Sequence, residues 1–371
     1  MRERKAGATT VTHRAMCNIT IDYAELGGSG RSIDAVRHIG GVHIGGESRM
    51  GQVADTKVSV IIVAFNSLRT LEACLRSIPH SAEVVVVDQE SRDGSAQFVR
   101  QVRPSATLIR AGANRGFAAG CNLGAANAKG DVLLFLNPDA FLGPDCLSIL
   151  VESALSANAL VGPKILDPDG REKTWARNHS NMLMDIFEEI LPRKFTVGLL
   201  ARNIPEDDEV YRVGGTVPYV QGSCMALSAE NFWRAGGFDE RFFLYYEEES
   251  LAKSLAKIGV RVKLEPKAVV THIGSVSTSQ SSNFAVTQLY RSRTLYYKLY
   301  HRQSATLLFS CILWSLLSMM GITSSVRRLI GVRPSRDRVW YRSASAGVAS
   351  GWKGRVVEPP GARWNTSKIA D

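Results

Sequence analysis

Val132-Leu133-Leu134-Phe135-Leu136-Asn137-Pro138-Asp139 is the stretch from which the fold of this sequence can be deduced. Five apolar residues in a row are typical of a strand buried on both faces. Similar runs lie at 58–63 and 83–87, and a weaker one lies around 107–109. Apolar residues at helical spacing separate these runs. The sequence therefore predicts βαβ units, an α/β fold and a mostly parallel central sheet.

Polar residues follow each predicted strand, at the edge where open parallel sheets bind their ligands. The candidates are Asn66, Asp88, Asp93, Arg115, Gly116, Asn122, Asn137 and Asp139. Asp139 could bind a divalent cation, because hard cations prefer carboxylate oxygens. A strand-end Asp also often caps the next helix, and for Asp88 this alternative is equally good. Similarly, Asn114-Arg115-Gly116 could be a simple turn.

Composition narrows the class of protein. The chain has 371 residues and a net charge of +10, which favours an anionic partner. The basic residues are dispersed and no nucleic-acid-binding motif is visible, so we expect no nucleic-acid partner. Neither G-x-G-x-x-G nor a P-loop motif is present. The six cysteines include no C-x-x-C pair. The N-terminus is charged and no apolar segment follows it. Both observations predict a cytoplasmic protein.

The ends of the chain differ from its middle. Residues 1–56 lack periodicity and are predicted to be a poorly ordered extension, although a regulatory segment or a translation start at Met50 are alternatives. Residues 286–333 are predicted to form basic and apolar helices, and 334–371 a disordered tail. The uncharged stretch 304–323 could lie in the interface of an anionic membrane, span a membrane, or be a buried packing helix.

Seven motifs follow one another along the chain, at 60–66, 87–95, 114–124, 136–139, 221–227, 236–248 and 272–275. In this order they resemble the inverting family 2 glycosyltransferases of the GT-A fold, and among them the bacterial rhamnosyltransferase-like branch. The resemblance covers roughly residues 57–300 and implies a GT-A domain over 57–285 with a Rossmann-like nucleotide-binding half.

The resemblance also implies roles for single residues. Asp88 would contact the base of the donor, and Arg115 and Asn122 would line the nucleotide pocket. Asn137 and Asp139 stand at the D-x-D motif of the family. Asp139 would therefore bind Mg²⁺ or Mn²⁺, and His272 could complete that metal site.

The acidic motif near residue 248 departs from the family pattern. Glu247-Glu248-Glu249-Ser250 stands where the family usually has Glu-Asp-x-Asp. The resemblance implies that Glu248, beside Glu247, is the general base. A Glu is one methylene longer than an Asp, so its carboxylate must sit differently, and Ser250 replaces a carboxylate.

The function implied is transfer of a sugar from a nucleotide-sugar donor to a hydroxyl of a glycan or polyprenyl-linked acceptor, with inversion. dTDP-rhamnose is the first choice of donor, with UDP-sugars as an alternative, and the expected location is the inner face of the cell membrane. A degenerate protein that only binds the donor is a further alternative. A sugar-1-phosphate nucleotidyltransferase would need a basic, Gly-rich loop after the first strand, and Ala64-Phe65-Asn66-Ser67 supplies none.

Overall fold

The computed structural model describes residues 56–173, 175–191, 204, 208–274, 282–329 and 336–354. The predicted N-terminal extension therefore lies almost wholly outside the described residues. From β1 to β4 the chain alternates strands and helices as the apolar runs predict. These elements are Val58–Ala64 (β1), Leu68–Ser77 (α1), Glu83–Asp88 (β2), Ser95–Val102 (α2), Thr107–Arg110 (β3), Phe117–Ala126 (α3) and Val132–Leu136 (β4).

The second half of the domain mixes short strands with helices. Its elements are Ala140–Leu142 (β5), Cys146–Ala157 (α4), Ala159–Leu166 (β6), Ala176–Arg177 (β7), Met182–Ile190 (α5), Val210–Val213 (α6), Gly215–Val217 (β8), Tyr219–Val220 (β9), Cys224–Ser228 (β10), Ala229–Arg234 (α7), Glu247–Lys257 (α8) and Arg261–His272 (β11). Three helices follow: Ser282–Tyr300 (α9), Gln303–Leu329 (α10) and Arg338–Lys353 (α11).

One central sheet has the strand order β3-β2-β1-β4-β10-β6-β11-β5, and β8 also pairs with β11. The four strands β3, β2, β1 and β4 are mutually parallel. β10 is antiparallel to both β4 and β6, and β6 is again parallel to β11. The prediction of an α/β fold with a mostly parallel sheet and C-terminal helices is confirmed.

Alternate side chains of the strands fill two apolar layers, one on each face of the sheet. In β1, Val60 and Ile62 belong to one layer, and Ile61 and Val63 to the other. Helix α3 lies very close to this strand. A Cβ atom on Gly120 would lie 2.6 Å from the Val63 side chain, and one on Gly124 would lie 2.5 Å from Ile61. Close packing therefore explains the two glycines of this motif.

The C-terminal helices share a third apolar core with the loop that precedes α8. Phe242 and Tyr246 of that loop pack with Tyr296 of α9, Phe309 of α10 and Val348 of α11. The C-terminal helices thus pack directly against the loop that precedes α8.

Helix α11 corrects the prediction of a disordered tail over 334–371. A Cβ atom on Gly347 would lie 2.4 Å from the Thr287 carbonyl oxygen of α9, so the small residues of α11 allow very close helix packing. A segment rich in Ser, Gly and Ala looks like low complexity by composition. Tertiary packing of such a helix supplies stability that propensity does not. The part of the predicted tail after residue 354 lies outside the described residues.

Helix α10 is long and apolar enough to cross a membrane. Phe309, Leu313 and Leu317 are buried against the other helices, whereas Leu308 and Ile322 are 63% and 65% exposed. The alternative of a buried packing helix therefore accounts for one face of α10 only.

Candidate active site

A cavity of about 430 Å³ opens at the carboxyl ends of the central strands. This volume is in the range of small-molecule binding sites. Residues after β1 and β4, the end of β11 and the start of α8 meet there. The polar lining residues are Gln89, Asn114, Asn137, Asp139, Lys173, Gln221, Ser223, Tyr245, Glu247, Glu248 and His272.

Asp139 and His272 lie together in the wall of this cavity. Residue 272 pairs with Ala140 in the antiparallel β5–β11 ladder, and Ile273 N donates to the Asp139 carbonyl at 3.1 Å. The ladder brings the His272 Nε2 atom to 3.2 Å from Asp139 Oδ1. Both residues are buried: His272 is 9% exposed and Asp139 is 6% exposed. A carboxylate beside an imidazole, in a cavity wall, is a donor set that suits a divalent cation.

Within the described residues, no group of three or more His, Cys, Asp and Glu side chains could hold a metal ion. A cation at Asp139 and His272 would therefore complete its coordination with substrate oxygens and water. Mg²⁺ commonly binds in this way, through one or two protein groups plus substrate phosphates. The residues present fit a cation that arrives with a diphosphate.

Glu247 and Glu248 enter the cavity from the first turn of α8. The two residues before them, Tyr245 and Tyr246, have φ angles of +70° and +73°. A left-handed conformation costs a non-glycine residue about 1–3 kcal/mol and persists only when surrounding contacts impose it. The start of α8 is thus held at a fixed place against a local preference of the backbone.

Helix α9 supplies the contacts that hold this loop. Arg291 Nη1 donates to the Arg241 carbonyl at 2.9 Å, and Ser292 Oγ donates to the Leu244 carbonyl at 2.8 Å. Arg293 Nε donates to the Tyr246 hydroxyl at 3.2 Å. The C-terminal helices therefore position the glutamates.

The two glutamates differ in burial: Glu247 is buried and Glu248 is partly exposed. Burial, and then the neighbouring charge of Glu248, raise the pKa of the Glu247 carboxyl well above its ordinary value. The protonated form of Glu247 is therefore favoured more than in an exposed glutamate. Glu248 lies against Gly222 of the cavity wall, where an added Cβ atom would be 3.8 Å from Glu248 Cδ.

Glu249, unlike its two neighbours, does not line the cavity. Its carboxylate is buried and accepts hydrogen bonds from Ser180 N at 2.6 Å and Ser180 Oγ at 2.7 Å. It also lies 3.3 Å from His179 Nδ1. Ser250 Oγ is 2.8 Å from the Tyr300 hydroxyl. In place of the last Asp of the family pattern, this chain therefore has a neutral hydrogen bond to α9.

Three predicted donor-binding residues, Gly116, Asn137 and Asp139, line the cavity, and Asn66, Asp88 and Asp93 do not. Asp93 Oδ2 accepts from Leu68 N at 2.9 Å and Oδ1 accepts from Ser95 N at 3.0 Å, so this residue joins the starts of α1 and α2. Asn66 Oδ1 accepts from Arg92 N at 2.9 Å.

Asp88 is fully buried at the end of β2. Its Oδ2 atom is 3.0 Å from Arg110 Nε and accepts a longer hydrogen bond of 3.3 Å from Ser91 N. Its Oδ1 atom is buried without a hydrogen-bond partner among the described residues. An unpaired buried acceptor costs about 1–3 kcal/mol, so this oxygen is suited to a ligand donor.

Arg115 and Asn122 also lie outside the cavity lining. Arg115 N donates to Gln89 Oε1 at 2.8 Å, and its guanidinium is 3.6 Å from Glu240 Oε2. Asn122 accepts from Phe238 N at 2.9 Å and donates to the Phe238 carbonyl at 2.8 Å. These two residues thus brace the loop before the glutamates.

Gly116, in the Gly-rich motif, lies directly against Phe243 in the loop that precedes the glutamates. Its φ is +91° and a Cβ atom there would lie 2.3 Å from the Phe243 carbonyl oxygen. Phe117 N donates to the same oxygen at 2.9 Å. The close neighbour that requires a glycine at residue 116 is therefore the backbone of Phe243.

Sequence reasoning missed Lys173, which lies in the cavity wall. The Asp167-Pro168-Asp169-Gly170 turn after β6 was the available signal, because it reverses the chain and returns it to the sheet edge. Gln89 was also missed. Its Nε2 atom donates to the Gly116 carbonyl at 3.0 Å and helps to fix that glycine.

The chain is similar to known proteins in sequence and in fold. The family model described as Glycosyl transferase family 2 matches residues 59–235. The N-acetylglucosaminyl-diphospho-decaprenol L-rhamnosyltransferase of Mycobacterium tuberculosis is 29% identical over 244 residues, which is 60% of this chain and 77% of that protein. A low-salt glycan biosynthesis hexosyltransferase of Haloferax volcanii is 27% identical over 196 residues, 52% of this chain and 59% of that protein.

Among solved structures, a mannosyltransferase from Pyrobaculum calidifontis in complex with GDP-Man and Mn²⁺ has a TM-score of 0.47 and 19% sequence identity. The likeness covers 80% of this chain and 86% of that one.

Proposed function

We propose a specific reaction for this chain, which carries a glycosyl transferase family 2 domain and is a nucleotide-sugar-dependent glycosyltransferase. The reaction is transfer of L-rhamnose from dTDP-rhamnose to a hydroxyl of a polyprenyl-linked glycan, with inversion at the anomeric carbon. The rhamnose and the lipid-linked acceptor are proposed from the name of the mycobacterial relative and from the motifs near residues 139 and 248.

One observation carries the proposal: a single cavity contains both the Asp139–His272 pair and the Glu247–Glu248 pair. The first pair suits a divalent cation that would accompany the diphosphate of a donor. The second pair places two carboxyl groups in the same cavity. Direct displacement needs both groups to face the same sugar.

Glu248 is proposed as the general base. A hydroxyl is a weak nucleophile at neutral pH, and a carboxylate within hydrogen-bond reach removes its proton as the new bond to the anomeric carbon forms. Burial raises the pKa of the Glu247 carboxyl, which favours its protonated form. In that form Glu247 would donate a hydrogen bond to substrate, while Glu248 accepts the proton of the acceptor hydroxyl.

The donor would lie with its base toward the second strand and its diphosphate toward Asp139. The buried Oδ1 atom of Asp88 is the group proposed to accept a hydrogen bond from the base. Asp139 and His272 would hold Mg²⁺ or Mn²⁺ with the diphosphate. A bound cation would offset the negative charge that develops on the leaving group.

Glu248→Gln tests the base. We expect transfer to fall by about 10²–10⁴-fold, the usual contribution of a positioned base, with donor affinity unchanged. Glu230→Gln is a matched control, because the Glu230 side chain is 78% exposed on α7. Full activity of Glu248→Gln would remove Glu248 from the mechanism. Donor binding without any transfer or hydrolysis by the wild-type protein would support the degenerate, donor-binding alternative.

The donor sugar is tested by binding of dTDP-rhamnose against UDP-galactose, UDP-glucose and UDP-N-acetylglucosamine, each with and without Mg²⁺ or Mn²⁺. We expect dTDP-rhamnose to bind best and a cation to strengthen binding. Tighter binding of a UDP-sugar would refute the choice of donor while leaving the transferase in place.

Helix α10 is proposed to lie in the interface of an anionic membrane on the cytoplasmic side, where a polyprenyl-linked acceptor would be found. Its exposed face includes Leu308, Trp314 and Ile322, and its last turn contains Arg327 and Arg328. Apolar side chains on one face with basic residues at the end are typical of interfacial helices.

Sedimentation with vesicles tests this placement. We expect binding to vesicles that contain anionic lipid, release by high salt, and weaker binding of Leu308→Glu. Release by detergent alone would favour a spanning helix, and equal binding to neutral vesicles would contradict the electrostatic part of the proposal.

A further inference from the structure

Lys173 is a cationic side chain in the cavity that the mechanism above does not use. Among the described lining residues it is the one lysine, and none is an arginine. The lining residues Asp139, Glu247 and Glu248 are acidic types. A cavity with this composition would repel an anionic diphosphate unless a cation offset the charge.

A short hairpin holds Lys173 in place. Asp167 Oδ1 accepts from Asp169 N at 3.0 Å and from Arg171 N at 2.9 Å, which fixes the turn. Leu166 and Glu172 form a β-bridge, and Lys173 N donates to the Ile165 carbonyl at 3.0 Å. The backbone of Lys173 is therefore part of the sheet edge rather than of a free loop.

The ammonium group of Lys173 lies beside the Asp139–His272 pair. Its Nζ atom donates to the His272 carbonyl at 3.4 Å. A Cβ atom on Gly274 would be 3.8 Å from the His272 ring and 3.9 Å from Lys173 Nζ. In the part of the chain that the structure describes, no carboxylate forms an ion pair with this ammonium. Since an ammonium has three N–H donors, two of them remain for a ligand in the cavity.

We infer that Lys173 donates hydrogen bonds to the diphosphate of the nucleotide-sugar donor. This inference rests on the proposed function. The ammonium approaches the diphosphate from the hairpin, while Asp139 and His272 approach it from the β5–β11 ladder. As the bond from the anomeric carbon to the diphosphate breaks, the electron pair moves onto the departing oxygen, and Lys173 offsets that charge.

Binding of nucleotide fragments without a divalent cation tests this inference. Calorimetric titrations in EDTA would compare dTDP and UDP with thymidine and uridine, for the wild-type protein and for Lys173→Met, which keeps an unbranched stem of similar length. We expect Lys173→Met to weaken binding of the preferred nucleoside diphosphate by about tenfold or more, the usual effect of one charge-assisted hydrogen bond. Binding of the nucleoside should not change.

Two further variants sharpen the test. Lys173→Arg should recover most of the diphosphate affinity, and Lys267→Met, an exposed lysine of β11, should bind like the wild type. In transfer assays Lys173→Met should raise the donor KM and lower kcat, without change in the acceptor KM. Thermal unfolding of each variant checks that the fold is intact.

Unchanged diphosphate affinity in Lys173→Met would overturn the inference. So would an equal loss for nucleoside and diphosphate, which indicates a structural role, or a change confined to the acceptor KM, which indicates a phosphate of the acceptor. If the wild-type protein binds neither dTDP nor UDP, with or without a cation, the proposed function itself fails. Failure of Lys173 alone is recognised by wild-type binding and transfer that Lys173→Met does not reduce.

Discussion

Gly116→Ala should displace the loop that carries the glutamates, although residue 116 is far from them in sequence. Gly116 has φ +91° and ψ 170°, a region that is essentially restricted to glycine and costs another residue about 1–3 kcal/mol. The new Cβ atom would also lie 2.3 Å from the Phe243 carbonyl oxygen and 2.7 Å from Phe243 Cα. Both are backbone atoms, so no side chain can rotate away to relieve the contact.

The size of the effect follows from these distances. Ordinary contact of a Cβ atom begins at 3.4 Å, so the two backbone segments must separate by about 1 Å, a displacement that can cost on the order of a hundredfold in rate. The backbone strain and the clash together should lower the free energy of unfolding by about 2–4 kcal/mol. Since Phe243 precedes Glu247 by one short turn, the displacement should reach both glutamates.

The assay is kcat for sugar transfer at saturating donor, with urea unfolding followed in parallel. Gly112→Ala is a matched control, because Gly112 has φ +73° and no atom lies within 4 Å of its added Cβ. It should lose about 1 kcal/mol of stability from strain alone and keep its kcat. If Gly116→Ala kept a kcat within twofold of Gly112→Ala, the idea that this contact positions the glutamates would be refuted.

Three other predictions concern α8 and α11. Because burial raises the pKa of the Glu247 carboxyl, stability should be greatest below the ordinary pKa of 4.5 and fall as pH rises toward the folded value. Glu247→Gln should remove this slope in urea unfolding at pH 5 and pH 8, and an unchanged slope would contradict the assignment. Gly347→Val should cost about 1–3 kcal/mol in unfolding, since it forces α11 away from Thr287, and no loss would show that this packing is loose. Glu249→Gln and Ser180→Ala should be non-additive by about 0.5–3 kcal/mol in a double-mutant cycle, and simple additivity would argue against their hydrogen bonds.

The sequence predicts the first half of the sheet well because each strand there is a compact apolar run. β1, β2 and β4 are buried on both faces, so a short continuous apolar run followed by a polar turn identifies each of them. The position of Asp139 at a ligand-binding edge follows from the strand that precedes it. Its partner His272 follows from the family resemblance alone, because residues 133 apart in sequence meet only through the β5–β11 ladder.

The predicted donor-binding residues show why residue type alone predicts a site only in part. Asp93 precedes α2 and Asn122 lies within α3, and the side chains of both are engaged in hydrogen bonds to backbone. Helix caps and ligand contacts use the same side chains. Lys173 shows the reverse error, since a lysine after a polar turn looks like an ordinary solvated residue until the hairpin returns it to the cavity.

The three donors from α9 to the loop 241–246 limit how this enzyme can be divided into modules. A protein truncated before α9 would keep the parallel strands and Asp88, but the left-handed backbone at Tyr245 and Tyr246 would lose the contacts that impose it. Such a fragment should bind nucleotide and fail to transfer sugar. A graft of a foreign C-terminal region, made to change the acceptor, would have to retain Arg291, Ser292 and Arg293 at their present spacing. The C-terminal helices and the placement of the glutamates therefore depend on each other.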